Sequence, residues 1–374
     1  MGFLNLMGEN LPSEKDCQVR FGKNMSVQVE MCAPHLPAEW TLQSGIQLTW
    51  PHSGTDWAYM LEEVEECFLH IAKEIATRES LLIVTPEPER VQALLHSRQI
   101  VLDHVRFVKC PTNDTWARDH SFITMLDTTK PSLLDFKFNG WGLKFAADKD
   151  NLINHQLVQT NALKGSYINR LNFVLEGGSI ESDGVGTLLT TSKCLLSPNR
   201  NGQFNRVEIE EYLRTVFHLQ QVLWLDYGYL AGDDTDSHID TLARFCSPKA
   251  IAYVKCEDEA DEHYPALKHM EEQLQTFRRL DGEPYSLLPL PMPEAIYDED
   301  GQRLPATYAN FLIMNNAVLY PTYNQPIGDS QAAKVLQQSF PDKEIVGIDC
   351  RALIKQHGSL HCVTMQYPTG VLDF

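Results

Sequence analysis

The stretch from Phe311 to Ile348, FLIMNNAVLYPTYNQPIGDSQAAKVLQQSFPDKEIVGI, decides the fold. Phe311–Met314 and Val318–Pro321 are short apolar runs on either side of Asn315-Asn316, a dipeptide suited to a tight hairpin turn. Asp329–Phe340 then carries apolar residues near helical spacing, with Asp329 as the expected N-cap. Glu344–Ile348 reads as a further strand. The order is strand, strand, helix, strand. The same order begins at Ser179, with a strand to Glu181, a turn at Asp183-Gly184, a strand Thr187–Thr191, a helix Val207–Phe217 and a strand Val222–Leu225. This predicts an internal repeat of small supersecondary units without sequence identity between copies.

Working outward, Ser80–Thr85 is an apolar run ended by Pro86, and Glu87–Leu95 opens as a helix with acidic residues in its first turn. Val105–Lys109 and Ser121–Leu126 read as strands, and Phe138–Asn151 and Leu287–Pro305 as loops. The pattern predicts a mixed α/β chain. No composition break divides it, so residues 31–374 are expected to form one domain behind a flexible extension at residues 1–30.

The chain has 374 residues, with 31 Lys+Arg against 50 Asp+Glu, for a net charge of −19. That balance argues against nucleic acid or an anionic membrane surface as the main partner and is compatible with a small cationic ligand. The 43% hydrophobic content excludes disorder of the whole chain. Nine cysteines, with no C-x-x-C pair, fit neither a zinc ribbon nor a secreted disulfide framework, and a reducing cytoplasm is the expected compartment. Neither a signal peptide nor an apolar run of membrane-spanning length is read. The acidic run Glu257–Glu262 reads as a solvated surface, and no P-loop or G-x-G-x-x-G appears.

Four segments carry chemistry-bearing residues. Gly232–Phe245 (GDDTDSHIDTLARF) holds Asp233, Asp234, Asp236, His238 and Asp240. The segment leads towards a hairpin turned at Ser247-Pro248-Lys249. On an extended strand, His238 and Asp240 would share a face. Such a pair suits general acid–base work beside a bound cation, or ligation of a divalent metal. Asn113–Asp119 (NDTWARD) offers Trp116 as an apolar or cation–π wall, with Arg118 and Asp119 beside it. In Leu175–Thr191, Glu176 precedes Gly177-Gly178, which permit close backbone approach. In Ser359–Gln366 (SLHCVTMQ), a strand would turn His361 and Cys362 to opposite faces, making His361 a poor direct activator of the thiol.

The order W-x-R-D, E-G-G, H-x-D and H-C resembles the agmatine deiminase / bacterial peptidyl-arginine deiminase family of guanidino-group-modifying enzymes, over roughly residues 35–370. Phe138-Asn139-Gly140-Trp141-Gly142, Cys194–Asn201 (CLLSPNRN) and Gly347–Asp349 add to the resemblance. It implies a five-bladed α/β propeller (pentein) of strand-strand-helix-strand repeats. It further implies Cys362 as nucleophile, His238 as general acid–base, Asp119 and Asp240 as guanidinium ligands, Glu176 as a further acid of the site, and Trp116 at the entrance. No metal or other cofactor is implied. The partner is a small cationic guanidino substrate, and a homo-oligomer is allowed.

The implied reaction is hydrolytic deimination through a covalent Cys362 thiouronium, with agmatine going to N-carbamoylputrescine and ammonia. Asp234 is the expected partner of the substrate amine. Arginine or peptidyl-arginine deimination to citrulline is the alternative, with Arg118 as the nearest donor for a carboxylate or carbonyl. Two further readings are a metal hydrolase built on Asp234, Asp236, His238 and Asp240, and an inactive binding module. Asp236-Ser237 stands where many agmatine deiminases have Asn-Gly, and Gln356–Leu360 where a longer glycine run is common, so the departures fall on tail recognition and spare the nucleophile.

Overall fold

The computed structural model describes residues 34–127 and 129–374, so the expected extension at residues 1–30 lies outside the described residues. The carboxyl-terminal unit has the expected order. Leu312–Ile313 runs antiparallel to Ala317–Thr322, the helix Pro326–Ser339 follows, and Glu344–Asp349 returns parallel. The upstream unit repeats this with Ile180–Ser182, Thr187–Thr191, the helix Arg206–Phe217 and Gln221–Leu225.

Three further sheets share the pattern. One is Ile123–Met125, Ser132–Lys137 and Ser166–Val174. Another is Ala243–Ser247, Ala250–Lys255 and Ser286–Pro291. In the last, Thr364–Pro368 pairs antiparallel with Gln43–Thr49, which lies parallel to Ser80–Thr85 and through it to Val105–Lys109. The two ends of the described chain therefore meet in one sheet. A parallel neighbour requires a crossover connection, and a helix supplies it. One such helix is Leu61–Ala76, whose Val64, Phe68, Ile71 and Ile75 are buried at helical spacing. Middle strands such as Thr187–Thr191 are buried along their whole length, as strands covered on both faces must be.

Three local expectations need correction. Asp329 is not the N-cap, because the helix opens at Pro326, whose fixed φ and missing N–H suit the first turn. Its carboxylate instead accepts from the backbone N–H of Tyr323 (3.1 Å) and Gln325 (3.0 Å) and from the Tyr308 hydroxyl (2.7 Å), tying down the entry to the helix. Leu287–Pro291, read as loop, belongs to a strand at a sheet edge, where proline costs no ladder bond. The hairpin after Asp240 is present, but His238 and Asp240 precede it, in a tight turn around Ile239–Thr241 and not on the strand.

The first strand of each sheet is entered through a short irregular segment. Asp119, Glu176, Asp240, Asn310 and Cys362 stand two to four residues before the first strands of the five sheets. The chain thus places one polar residue at an equivalent position in each repeat.

Candidate active site

These five entrances converge. Cys362 Sγ lies 3.4 Å from Asn310 Oδ1 and 3.8 Å from Asp240 Oδ2. His238 Nδ1 lies 3.7 Å from Asp119 Oδ1. Gly178 shows how tightly the side chains gather, since a Cβ there would sit 2.6 Å from His238 Nδ1, 2.9 Å from Asp119 Oδ1 and 3.1 Å from Asp240 Oδ2. Its N–H donates to Asp119 Oδ1 at 3.0 Å, and the Trp141 indole N–H donates to Oδ2 at 3.0 Å. Trp141 reaches that carboxylate from a segment in which Gly140, Trp141, Gly142 and Leu143 all have positive φ. Asp240 Oδ1 and both His238 ring nitrogens are buried without a hydrogen-bond partner, as befits groups that meet a polar ligand.

The charges are arranged in opposition. Burial pushes the Asp119 carboxyl up to about 6 despite the pull of His238, and Asp240 adds to the rise. Burial disfavours a charged His238 ring, but Asp119, followed by Cys194 and Glu176, overrides it and pushes the ring up to about 10. Burial, reinforced by the Asp240 and Asp119 carboxylates, raises the Cys362 thiol well above its usual range. Without a cation between the carboxylates, the pocket therefore favours a protonated thiol. A cation bound there removes much of that penalty.

Above this floor a pocket opens, lined by Asp56, Asp114, Asp119, Asp234, Trp116, Trp141, His357 and Cys362 among others. Trp116 packs obliquely on Trp57 at 5.7 Å, and Gly358 lies so close that a Cβ would stand 2.1 Å from the Trp116 ring. Asp114 accepts from the Trp57 indole at 2.9 Å, and burial pushes it up to about 6.

The structure brings Cys362, Asp119, Trp116 and Asp234 to the pocket, with His238 and Asp240 beside its floor. Two expected residues face elsewhere. Arg118 is buried, its guanidinium against Gln366 and Met365 (3.5 Å), and it lines a separate cavity with Glu39, Glu181 and His361. It does not line the pocket that holds Cys362. Glu176 lies behind His238 and takes a two-point ion pair from Arg200 Nε, at 2.8 and 3.1 Å. Arg200 also holds Asp236 Oδ2 at 2.5 Å and the Thr235 carbonyl at 2.8 Å. This grip, with the Ser237 N–H donating to Asp233 Oδ2 at 2.6 Å, holds Asp236 and Ser237 at φ 68° and 64°. Non-glycine residues are strained there, and an Asn-Gly pair would relieve it.

The metal set weighed from the sequence does not assemble, because Asp236 is taken by Arg200 and Lys144. Among the described residues, the group within mutual ligand reach is Glu176, Cys194 and His238, and Arg200 already engages the glutamate. Arg200 and Trp141 lay in segments noted for resemblance but carried no expected role. Asn310 was missed altogether. Its signal is positional, since it heads the first strand of its repeat as the other four residues head theirs.

A family model described as the Porphyromonas-type peptidyl-arginine deiminase matches residues 35–368. A "Putative agmatine deiminase" of Shewanella sp. (strain W3-18-1) is 32% identical over 358 residues, spanning 90% of this chain and 94% of its own. A solved Porphyromonas gingivalis "Putative Arginine Deiminase" is 53% identical with a TM-score of 0.85, over 91% of this chain and 100% of its own. A cysteine-to-serine form of C. jejuni agmatine deiminase with substrate bound is 38% identical with a TM-score of 0.83, over 93% and 99%. Fold and site define a hydrolase acting on C–N bonds, of the kind that deiminates guanidino groups. The chain belongs to the Porphyromonas-type peptidyl-arginine deiminase family.

Proposed function

We propose that the protein converts agmatine to N-carbamoylputrescine and ammonia through a covalent intermediate on Cys362. One observation carries the substrate choice. Among the described residues, the acidic groups lining the pocket are Asp56, Asp114, Asp119 and Asp234, neither arginine nor lysine lines it, and Lys144 touches its edge only through the Asp234 carbonyl. Agmatine is a dication, with a guanidinium at one end and an ammonium at the other, and an acidic rim with an acidic floor suits both ends. Arginine carries an α-carboxylate that these groups would repel.

In this reading Asp119 and Asp240 take the guanidinium N–H groups, much as carboxylates hold an Arg side chain. The bound cation offsets the carboxylates that keep Cys362 protonated. The thiol proton is lost to solvent and the thiolate attacks the guanidinium carbon, forming the C–S bond. His238, as imidazolium, gives its proton to one amino group, the C–N bond breaks, and ammonia leaves. The neutral ring then takes a proton from water, hydroxide adds to the thiouronium carbon, and the C–S bond breaks to release the ureido product and the thiolate. Glu176 and Arg200 act from behind, supporting the charged ring. The five equivalent sheets support a reading of the fold as a five-bladed propeller with this site at its centre.

A second reading has a specific footing. The family's description and the P. gingivalis relative favour arginine or peptidyl-arginine as substrate. At the rim, His357 is the ring able to donate to a carbonyl or carboxylate. Its Nδ1 donates to the Gly232 carbonyl at 2.7 Å, so Nε2 meets a ligand as an acceptor in the neutral ring and as a donor only in the imidazolium.

The test is a panel of agmatine, free arginine and peptides with internal or carboxyl-terminal arginine, read as ammonia and as ureido product. Turnover of agmatine, lost by at least about 10⁴-fold in Cys362→Ala and unaffected by chelator, is the expected result. Turnover confined to arginine peptides would overturn the substrate assignment while keeping the chemistry. Full activity in Cys362→Ala would overturn the mechanism.

A further inference from the structure

His361 precedes the proposed nucleophile and faces away from the pocket, into a buried cluster of charge. Its Nδ1 is 2.7 Å from Asp240 Oδ2, and its Nε2 is 2.8 Å from Glu39 Oε2. Glu39 is itself held on three sides. Its Oε1 accepts from the Ile313 N–H at 2.8 Å, and its Oε2 accepts from Arg244 as well as from His361. Arg244 is fully buried, pairs also with Glu181, and donates to the Phe311 carbonyl at 2.6 Å. Asn310 Oδ1 accepts from the His361 N–H at 2.8 Å, so the strand entrance bearing Cys362 is pinned at both backbone and ring.

We propose that His361 and Glu39 are positioning residues for the reaction, forming with Asp240 a carboxylate–imidazole–carboxylate chain that fixes which oxygen of Asp240 meets the guanidinium. Asp240 has two oxygens. His361 occupies Oδ2, and Oδ1 is the one left buried without a partner. A carboxylate with one oxygen tethered cannot rotate to a second arrangement, so its geometry is set before substrate arrives. The hydrogen count is also informative. The Asp240 contact places a proton on Nδ1, while Nε2 stands between the Glu39 carboxylate and the Arg244 guanidinium, 3.1 Å away, and can donate to the one or accept from the other. Burial, then Arg118 and Arg244, pull the ring's pKa down, while Glu39 and Asp240 push it up. The downward pull prevails, so the ring favours the neutral form with its proton on Nδ1, and the link to Asp240 needs no second ring proton.

The inference rests on Asp240 being a guanidinium ligand, and the experiment separates the two claims. Turnover by the unaltered protein tests the proposed function alone. His361→Ala, His361→Asn and Glu39→Gln in the full chain test the chain of contacts. Asparagine can place its Nδ2 near the position of the imidazole Nδ1, which restores the link to Asp240 but not to Glu39. We expect His361→Ala to lower kcat/KM on the order of 10- to 100-fold, mainly through KM. His361→Asn should recover most of that loss. Glu39→Gln should shift the pH profile of kcat/KM while leaving the alkylation of Cys362 intact.

Independently of any activity, ¹⁵N NMR of the imidazole rings should show His361 protonated at Nδ1 from pH 6 to 8, a signature absent in His361→Asn. A His361 ring without a proton at Nδ1 over that range would overturn the proposal. So would a folded His361→Ala with unaltered KM and pH profile, or an His361→Asn as impaired as the alanine variant.

Discussion

At the scale of single residues, the site works by opposition. Asp119, His238 and Cys362 are each buried in a state that their neighbours perturb, and in the proposed function a bound guanidinium resolves the conflict. That has a consequence for pH. The free protein has a thiol raised well above its usual range and a ring pushed up to about 10, and the proposed attack needs thiolate together with imidazolium. Raising pH creates thiolate and eventually removes the ring proton, so kcat/KM should be bell-shaped with its maximum on the alkaline side of neutrality. In the complex, the guanidinium offsets the charge of Asp119 and Asp240, so the acid limb of kcat should fall at lower pH than that of kcat/KM. Steady-state kinetics from pH 5 to 11 would check both limbs. Coincident acid limbs would mean that the substrate does not assist ionisation of the thiol.

At the scale of elements, the turn Gly177–Ser179 threads between side chains from three different repeats. Its middle residue has room only for hydrogen, because a methyl group would press on His238, Asp119 and Asp240 at once. Gly178→Ala should therefore lower kcat/KM by roughly 100-fold, the cost expected when reacting groups shift by about an ångström. Far-ultraviolet circular dichroism should remain unchanged, since the turn is short and the strands around it are independently paired. Activity within a few-fold of the parent would show that the turn can yield without moving the site. The strand-strand-helix-strand order was legible because hydrophobic periodicity is a local property, repeated along each element. The position of His238 and Asp240 was not, because a single tight turn leaves no periodic trace.

At the scale of the whole molecule, the net charge of −19 and the acidic pocket act in the same direction on a cationic substrate. Long-range attraction is screened by salt, while contacts inside a buried site are screened much less. Raising ionic strength from the low to the high end of the usual range should raise KM for agmatine by up to roughly tenfold, with kcat little changed. Measurement of both constants at several sodium chloride concentrations would check it. A KM indifferent to salt would assign recognition wholly to the buried carboxylates.

The sequence by itself carried the residue types, their order along the chain, and the repeating unit that holds them. Its motifs, through the family resemblance they carry, pointed to Cys362, His238, Asp119 and Asp240, and the structure gathers these four side chains in one place. Only the tertiary structure decided which way each side chain faces. Arg118 is one residue from Asp119 yet points into a different cavity. His361 is one residue from Cys362 yet reaches Glu39, more than three hundred positions away in the chain. Asn310 joins the site although no motif announces it. These outcomes depend on how five separately paired sheets come together, and contacts between repeats leave no local pattern for a sequence to display.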